Sequence, residues 1–231
     1  LVGDVVGDFK SNSPSAAILA RRMGWHMLGG FANMSHRVPP AFSLCVYCGS
    51  RPGADPAFSM AAQAVGRWIG QHGGQLVYGG GHNGLMGLVA DSAAQAGARV
   101  VGIIPRSMVQ REWARQACDE LIVVDTMHER KRLMMERSDA FVALPGGIGT
   151  FEEFFEAWTW RQLGFHDKPV GLLNTQGYYD AMLAFMQSTV SQGFVSDWQM
   201  DLICVQSQIE PLMQQLVQTA GTRSAPGSTL I

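Results

Sequence analysis

Short apolar segments alternate with longer amphipathic segments from about residue 44 to residue 217, and this alternation limits the possible folds more than any other feature. The apolar segments have the length of strands that are buried on both faces, and the amphipathic segments have the length of helices. Regular alternation of this kind is typical of a parallel sheet covered by crossover helices. We therefore predict an α/β protein with a Rossmann-like, doubly wound parallel sheet and helices on both faces.

The predicted strands are Leu44–Tyr47, Gln75–Tyr78, Arg99–Ile104, Leu121–Val124, Ala140–Leu144, Val170–Leu173 and a final Leu202–Val205. The predicted helices are Pro56–Gln71, Leu85–Ala96, Met127–Glu136, Phe151–Leu163, Tyr178–Ser191 and a final Ile209–Val217. Ligands bind outside the carboxyl ends of the strands in sheets of this type. Functional residues are therefore expected directly after the apolar segments.

Length and composition fit one large domain. The chain has 231 residues, of which 47% are hydrophobic and 16% charged. We expect a single nucleotide-binding α/β domain at residues 41–220, an N-terminal extension outside the fold at residues 1–40, and a polar tail at residues 221–231. An arginine-bearing stretch at residues 18–31 leaves a transit peptide open as an alternative for the extension.

Charge and cysteine content exclude several classes of protein. The net charge of −2 argues against a nucleic-acid binder with a broad basic face. No apolar run approaches the roughly 18–20 residues that span a bilayer, so we expect no membrane partner. Four cysteines are too few for a disulfide framework, and Cys45-x-x-Cys48 has no second pair to complete a zinc site. We expect a cytoplasmic protein without a metal.

Glycine, hydroxyl and charged residues follow several of the predicted strands. They are Gly49 and Ser50 after the first strand, Gly79–Gly87 after the second, Glu112 after the third, and Arg130 and Lys131 after the fourth. The fifth strand is followed by the stretch Leu144–Glu156, which reads LPGGIGTFEEFFE. This pattern of strand, glycine turn and helix start can hold an anion, because the first helical N–H groups and the macrodipole favour negative charge.

Thr150 is a good candidate for the N-cap of the helix that follows this turn. Two carboxylates, Glu152 and Glu153, come next. A phosphate-binding turn beside an acid indicates chemistry on a phosphorylated small molecule. The alternative is that Thr150-x-x-Glu153 is a capping box, in which Glu153 holds the start of the helix and has no other role.

Gly79, Gly81 and Gly84 have the spacing of a dinucleotide-binding fingerprint. That fingerprint requires an acidic residue about 20 positions further on, which holds the ribose. The segment 99–105 contains neither Asp nor Glu, so NAD binding is disfavoured. A mononucleotide needs no such acid, and Gly80 and Gly81 could still approach its ribose-phosphate.

Several motifs in this order resemble one family. They are GGGHNGLMG at 79–87, GIIPRSM at 102–108, MHERK at 127–131, SDAFVALPGGIGTFEE at 138–153, TWRQLGFHDKPVGLLN at 159–174 and GYY at 177–179. The chain resembles the Lonely Guy family of cytokinin riboside 5'-monophosphate phosphoribohydrolases, once labelled lysine decarboxylases, from about Leu44 to Val217. Ile148 stands where the family often has Tyr, which bears on substrate preference more than on the reaction.

The resemblance implies cleavage of the N-glycosidic bond of a purine nucleoside 5'-monophosphate, with or without an N6 substituent, by an enzyme without a cofactor. It also implies that Arg130 and Glu153 are catalytic. The residues it places along the substrate are Glu112, Lys131, Gly146, Gly147, Ile148, Gly149, Thr150, Phe151, Glu152 and Thr159. Their positions after strands add Gly49, Ser50, Gly80 and Gly81 to the expected substrate-binding residues.

Two other functions compete with this hydrolase. One is a non-catalytic carrier of a nucleotide or phosphorylated cofactor, which would not need the acid Glu153. The other is a pyridoxal-phosphate decarboxylase, which needs a Schiff-base lysine. The three lysines suit that role poorly, because Lys10 lies in the extension, Lys131 in the basic pair and Lys168 before a proline.

The predicted helix that begins at Phe151 is unusually aromatic. Phe154, Phe155, Trp158 and Trp160 lie along it. Core packing accounts for some of these residues, and a subunit interface accounts for the others, because aromatic side chains are enriched there. We therefore predict at least a homodimer. His128 and His166 are expected to be structural.

Overall fold

The fold is described from a computed structural model, which describes residues 39–109 and 118–222. The chain divides into two units, residues 1–38 and 39–231, and every described residue belongs to the second. Most of the predicted extension, most of the predicted tail and the candidate Glu112 therefore lie outside the described residues.

The described residues contain one sheet in which seven strands pair in parallel. The strands are β1 (Ser43–Tyr47), β2 (Gln75–Tyr78), β3 (Arg99–Pro105), β4 (Glu120–Val124), β5 (Ala140–Ala143), β6 (Val170–Leu173) and β7 (Ile203–Gln206). The helices are α1 (Pro56–Gln71), α2 (Gly84–Gln95), α3 (Met127–Glu136), α4 (Ile148–Gln162), α5 (Asp180–Ser191), α6 (Asp197–Met200) and α7 (Ile209–Gly221). The predicted fold class is confirmed.

Helices α4, α6 and α7 differ most from the prediction, and α7 runs to Gly221, four residues beyond the predicted Val217. Helix α6 was not predicted, because four residues are too few to show helical periodicity. A capping box between Ser196 and Gln199 caps the N-terminus of this short helix. Helix α4 begins at Ile148, three residues before the predicted Phe151, because its N-cap is Gly147.

The core consists of one layer on each face of the sheet. Alternate residues of a strand point to opposite faces, and in β1 the side chains of Leu44 and Val46 enter one layer while those of Cys45 and Tyr47 enter the other. The first layer packs against α1, α2 and α7, and the second packs against α3, α4 and α5. The sheet is therefore doubly wound. No helix in the described ranges has the length and apolar character needed to cross a bilayer.

The strand order β4-β3-β2-β1-β5-β6-β7 places one topological switch point between β1 and β5. Strands β2, β3 and β4 lie on the β1 side of this switch point, and strands β6 and β7 lie on the β5 side. The chain runs from β1 to α1 on one face of the sheet and from β5 to α4 on the other, so a crevice forms at the carboxyl ends of these strands, where ligands bind in open α/β sheets.

Candidate active site

The loops after β1 and β5 are bonded to each other at the switch point. The Gly49 amide donates a hydrogen bond to the Pro145 carbonyl at 3.1 Å, and the Leu85 amide donates to the Gly49 carbonyl at 3.0 Å. A Cβ on Gly49 would lie 3.3 Å from the Cα of Gly146. The absence of a side chain at Gly49 thus lets the two loops approach closely.

The glycine turn after β5 leads directly into α4. Gly147 is the N-cap residue, and its carbonyl accepts the hydrogen bond of the Phe151 amide at 3.0 Å. The prediction that Thr150 caps the helix is therefore wrong, and the capping-box alternative for Glu153 fails with it, because both residues lie inside α4. Thr150 is buried. If Gly146 carried a Cβ atom, that atom would lie only 2.1 Å from Oγ1 of Thr150, so the close contact requires glycine. The Thr150 side chain packs against the turn.

The first amides of α4 can bind an anion. The N–H groups of Ile148, Gly149 and Thr150 precede the first intrahelical donor, so they have no intrahelical acceptor. The macrodipole adds a partial positive charge at the same end of the helix. This is the arrangement that holds phosphate groups in many α/β proteins.

A cavity of about 240 Å³, which we call the inner cavity, opens beside this turn. Eight predicted site residues line it: Ser50, Arg130, Gly147, Ile148, Gly149, Thr150, Glu152 and Glu153. The lining is completed by four residues that the sequence analysis missed: Cys48, Met86, Met108 and Met127. Their positions shortly after a strand or near a helix start were the available signal.

Arg130 on α3 and Glu153 on α4 face each other in the inner cavity. The Nη2 atom of Arg130 lies 3.9 Å from Oε1 of Glu153, and the two side chains are 7% and 13% exposed. Because little water surrounds them, their electrostatic interaction is stronger than that of a surface pair. The fold therefore brings together the two residues that the motifs implied to be catalytic.

The guanidinium group of Arg130 keeps much of its hydrogen-bonding capacity. Its Nη2 donates to the Gly79 carbonyl at 3.3 Å, and its Nη1 contacts the sulfur atoms of Met127 and Met108 at 3.8 and 4.0 Å. Thioether sulfur is a weak acceptor. The buried Nε has no hydrogen-bond partner among the described residues. Arg130 can therefore donate hydrogen bonds to a ligand.

Gly79 makes room for this guanidinium. A Cβ at Gly79 would lie 2.0 Å from Nη2 of Arg130. From the sequence, Gly79 was assigned to a dinucleotide fingerprint and to the family motif at 79–87. Its observed role is to let the arginine approach the end of β2 and bond to the backbone there.

Comparisons with known proteins identify the family of this chain. A family model described as "Possible lysine decarboxylase" matches residues 86–216. Over 173 residues the chain is 45% identical to cytokinin riboside 5'-monophosphate phosphoribohydrolase LOG2 of Arabidopsis thaliana, a match that covers 75% of this chain and 81% of that protein. The chain belongs to the Lonely Guy family.

A second relative is the probable cytokinin riboside 5'-monophosphate phosphoribohydrolase LOGL5 of Oryza sativa subsp. japonica, which is 49% identical over 153 residues. That match covers 66% of this chain and 62% of the rice protein, which is less than two thirds of its length. Among solved structures, the molybdenum cofactor binding protein of Rippkaea orientalis has a TM-score of 0.57 at 24% identity and covers 77% of this chain and 95% of its own. This likeness shows a shared fold.

Lys131 of this Lonely Guy family member joins α3 to α4. Its Nζ donates to Oε1 of Glu152 at 2.5 Å and to Oε2 of Glu156. Burial lowers the pKa of Lys131, but the hydrogen bonds and charges of the two carboxylates outweigh it and hold the pKa above its ordinary value. Lys131 is not among the residues that line the inner cavity.

Several other predicted substrate residues lie elsewhere in the described structure. Gly80, with a φ of +76°, packs under Ile104 of β3, and Gly81 is buried outside the cavity lining. Phe151 is half-buried in the second core layer. Thr159 is exposed on α4, two turns beyond Glu152. These residues remain predictions as substrate ligands.

A second cavity of about 490 Å³, which we call the outer cavity, adjoins the first and shares Ser50, Gly147 and Ile148 with it. Its further lining residues are Gly49, Arg51, Pro52, Gly53, Phe58, Leu85, Pro145, Gly146 and Tyr178. The predicted residues Gly49 and Gly146 thus face this cavity. We call residues 144–147 the anion-binding turn, and this turn borders both cavities.

His166 is structural, as the sequence predicts. Its Nε2 donates to the Ala157 carbonyl at 3.0 Å, and its Nδ1 accepts the Lys168 amide at 3.2 Å. Burial lowers the pKa of His166 to about 4. Within residues 39–109 and 118–222, no group of three His, Cys, Asp or Glu side chains is arranged to hold a metal ion.

Proposed function

We propose that this protein hydrolyses the N-glycosidic bond of a purine nucleoside 5'-monophosphate and releases the free base and ribose 5-phosphate. The proposed substrates are AMP and its N6-modified derivatives of the cytokinin type, because the relatives that share 45–49% identity carry the name of that activity. The observation that carries the proposal is the buried pair of Arg130 and Glu153 beside an anion-binding helix start.

The 5'-phosphate is the group that fixes the substrate. The amides at the start of α4 attract it, and Ser50 offers a hydroxyl from the opposite loop of the same cavity. A phosphate held there brings the ribose towards Glu153. Fixing the sugar and the acid in one orientation removes a large part of the entropic barrier to the reaction.

Glu153 acts on the sugar. Breaking the bond between ribose and base develops positive charge at the anomeric carbon, as in glycoside hydrolysis. An ionised carboxylate in a cavity with little water stabilises that charge. The same carboxylate can accept a proton from the water that attacks the anomeric carbon, so that the water oxygen forms the new bond as the base departs.

Arg130 acts on the groups around that bond. Arginine side chains do not give up a proton in proteins, so Arg130 is not expected to act as a general acid. Its N–H groups can instead donate hydrogen bonds to the departing base, which gains electron density as the bond breaks. The 3.9 Å separation from Glu153 also lets the Arg130 guanidinium orient that carboxylate.

A non-catalytic carrier is the second candidate function. The fold shared with a molybdenum cofactor binding protein is compatible with it. A carrier that only holds a phosphate, however, has no use for a buried carboxylate beside the bound sugar, because that group costs desolvation energy. Glu153 therefore favours the hydrolase.

We also propose a homodimer that acts in the cytoplasm. Phe154 and Trp158 of α4 are buried within the chain and belong to the core. Leu163 and Phe165, just beyond α4, are 59% and 72% exposed, and the Trp160 ring lies 6.2 Å from that of Phe165. Exposed apolar side chains grouped in this way are typical of subunit interfaces.

The proposal is tested by incubating the purified protein with AMP and with N6-isopentenyl-AMP, without added metal or pyridoxal phosphate. We expect free base and ribose 5-phosphate in equal amounts, measured by chromatography. Binding of both nucleotides without release of base would overturn the hydrolase and favour the carrier. Adenosine is the matched control, because it has the same glycosidic bond but lacks the phosphate that the turn recognises.

A further inference from the structure

The motif GYY at 177–179 is not explained by the reaction, yet it contacts the anion-binding turn. The hydroxyl of Tyr178 donates to the Gly146 carbonyl, and the hydroxyl of Tyr179 donates to the Leu144 carbonyl at 2.6 Å. The carbonyl between them, that of Pro145, accepts a hydrogen bond from the loop after β1. Three successive carbonyls of the turn are thus each held by a donor from another part of the chain.

The bond from Tyr178 fixes the orientation of one amide. In a trans peptide the C=O of one residue and the N–H of the next point in opposite directions. The Gly146 carbonyl points towards Tyr178 in the outer cavity, so the N–H of Gly147 points away from Tyr178, and Gly147 also lines the inner cavity. Both residues are glycines, so no side chain opposes rotation of this peptide plane. Rotation would turn a carbonyl oxygen towards the bound phosphate and repel it.

Tyr178 is itself held in place from several directions. Gln176 has a φ of +53°, a left-handed conformation that is unusual for a residue with a side chain, and Gly177 follows with a φ of +69°. The side-chain oxygen of Asn174 accepts the Tyr179 amide at 2.7 Å. The ring of Phe58 meets the Tyr178 ring edge-on at 5.4 Å. Backbone strain that the surroundings maintain in this way is concentrated at functional sites.

We propose that Tyr178 is a positioning residue for phosphate recognition, which locks the peptide plane between Gly146 and Gly147 with its N–H towards the phosphate of the substrate. This inference rests on the proposed function, because it assumes that the turn holds the 5'-phosphate. Tyr178 does not contact the reacting atoms. It acts through the turn.

Tyr179 provides a matched control within the same motif. Its hydroxyl holds the Leu144 carbonyl, and the nitrogen of that peptide plane belongs to Pro145, which has no N–H. Loss of this bond leaves a buried carbonyl without its donor and lowers stability. It removes no amide that could face the phosphate.

The test compares Tyr178→Phe and Tyr179→Phe, each of which removes one hydroxyl and keeps the ring. Calorimetry measures the Kd of ribose 5-phosphate for both variants and for the unmodified protein. We expect Tyr178→Phe to weaken binding about tenfold, because the Gly147 amide then loses its hydrogen bond to the charged phosphate. With AMP the same variant should raise KM and leave kcat nearly unchanged, because the phosphate contact is uniform binding.

Tyr179→Phe should lower the unfolding temperature and leave the Kd unchanged. Ribose 5-phosphate binding that is equally tight in Tyr178→Phe and the unmodified protein would overturn the inference. Equal weakening in both variants would also overturn it, because that result indicates a general loosening of the loop. If the unmodified protein released no base while the two variants differed as expected, the hydrolase would fail and the role of Tyr178 would stand.

Discussion

Glu153 owes its position to its place inside α4. Since the helix begins after Gly147, Glu153 lies in its second turn and is not at the N3 position that a capping box requires. Its carboxylate is instead part of the inner cavity, 3.9 Å from the Arg130 guanidinium. This is the position that the proposed role of Glu153 on the sugar requires.

Replacing Glu153 by Gln tests this role, because glutamine has nearly the same size but no charge. We expect kcat for base release from AMP to fall about 10²–10⁴-fold, the range for loss of a general base or of a charge that stabilises the transition state. Calorimetry with ribose 5-phosphate should show that phosphate binding persists. Steady-state kinetics with chromatographic detection of adenine measures the effect.

Glu156→Gln is the matched control, because Glu156 lies one turn further along α4 and bonds to Lys131. Lys131 keeps its bond to Glu152 in that variant, so kcat should stay close to that of the unmodified protein. A Glu153→Gln variant with full activity would contradict the proposed mechanism. An equal loss in both variants would show that any missing charge on this helix impairs the fold.

At the scale of elements, the segment after α4 is anchored to α4 and β5 through His166. Its ring lies 5.3 Å from the Phe141 ring of β5, and both of its nitrogens are used in hydrogen bonds with Ala157 and Lys168. A proton on Nδ1 would remove the acceptor for the Lys168 amide. Burial lowers the pKa of His166 most and so keeps the imidazole neutral in the folded protein, and the charges of Lys168 and Arg161 act in the same direction, whereas the bond to Ala157 opposes them.

This anchoring predicts a pH dependence of stability. The pKa of His166 is about 4 in the folded protein and near 6.5 in the unfolded chain. Between these values the unfolded state binds more protons, so the free energy of unfolding falls as the pH is lowered from about 6.5 to 4. The expected contribution is about 2–3 kcal/mol. Urea denaturation at several pH values measures it.

The variant His166→Asn should be less stable than the unmodified protein at pH 7, and the difference should shrink towards pH 4, because only the unmodified protein then loses stability to protonation of residue 166. His128 is exposed on α3, so His128→Asn should follow the pH profile of the unmodified protein. Parallel profiles for His166→Asn and the unmodified protein would contradict the assignment.

At the scale of the whole molecule, the sheet order determines where the site lies. Arg130 comes from α3 on one side of the switch point, and Glu153 comes from α4 on the other. Gly79 at the end of β2 and Ser50 after β1 complete the surroundings of this pair. The site thus depends on the correct assembly of both halves of the sheet.

We expect light scattering to give a mass of about two chains, that is, twice 25.1 kDa. Phe165→Ser should weaken this association, because it removes an exposed apolar side chain from the proposed interface. Phe194→Ser is the control, since Phe194 is 85% exposed but lies beyond α5. A single-chain mass at all concentrations, or dissociation by Phe194→Ser alone, would contradict the proposed interface.

The sequence by itself determined the order and type of the main elements, because buried strands and amphipathic helices leave a local pattern of apolar residues. It also determined the glycine turn and the residue types around it, since Gly147 and Gly149 at a strand end favour an anion site wherever the strand lies. The family motifs identified Arg130 and Glu153 before any distance between them was known.

Tertiary structure alone decided how distant segments meet. The local pattern allowed Thr150 as the N-cap, but the backbone of Gly147 starts the helix earlier. The contact of Gly79 with Arg130 and the bond of Tyr178 to Gly146 join segments far apart in the chain. Such contacts depend on strand order and loop geometry, which periodicity along a single segment does not encode.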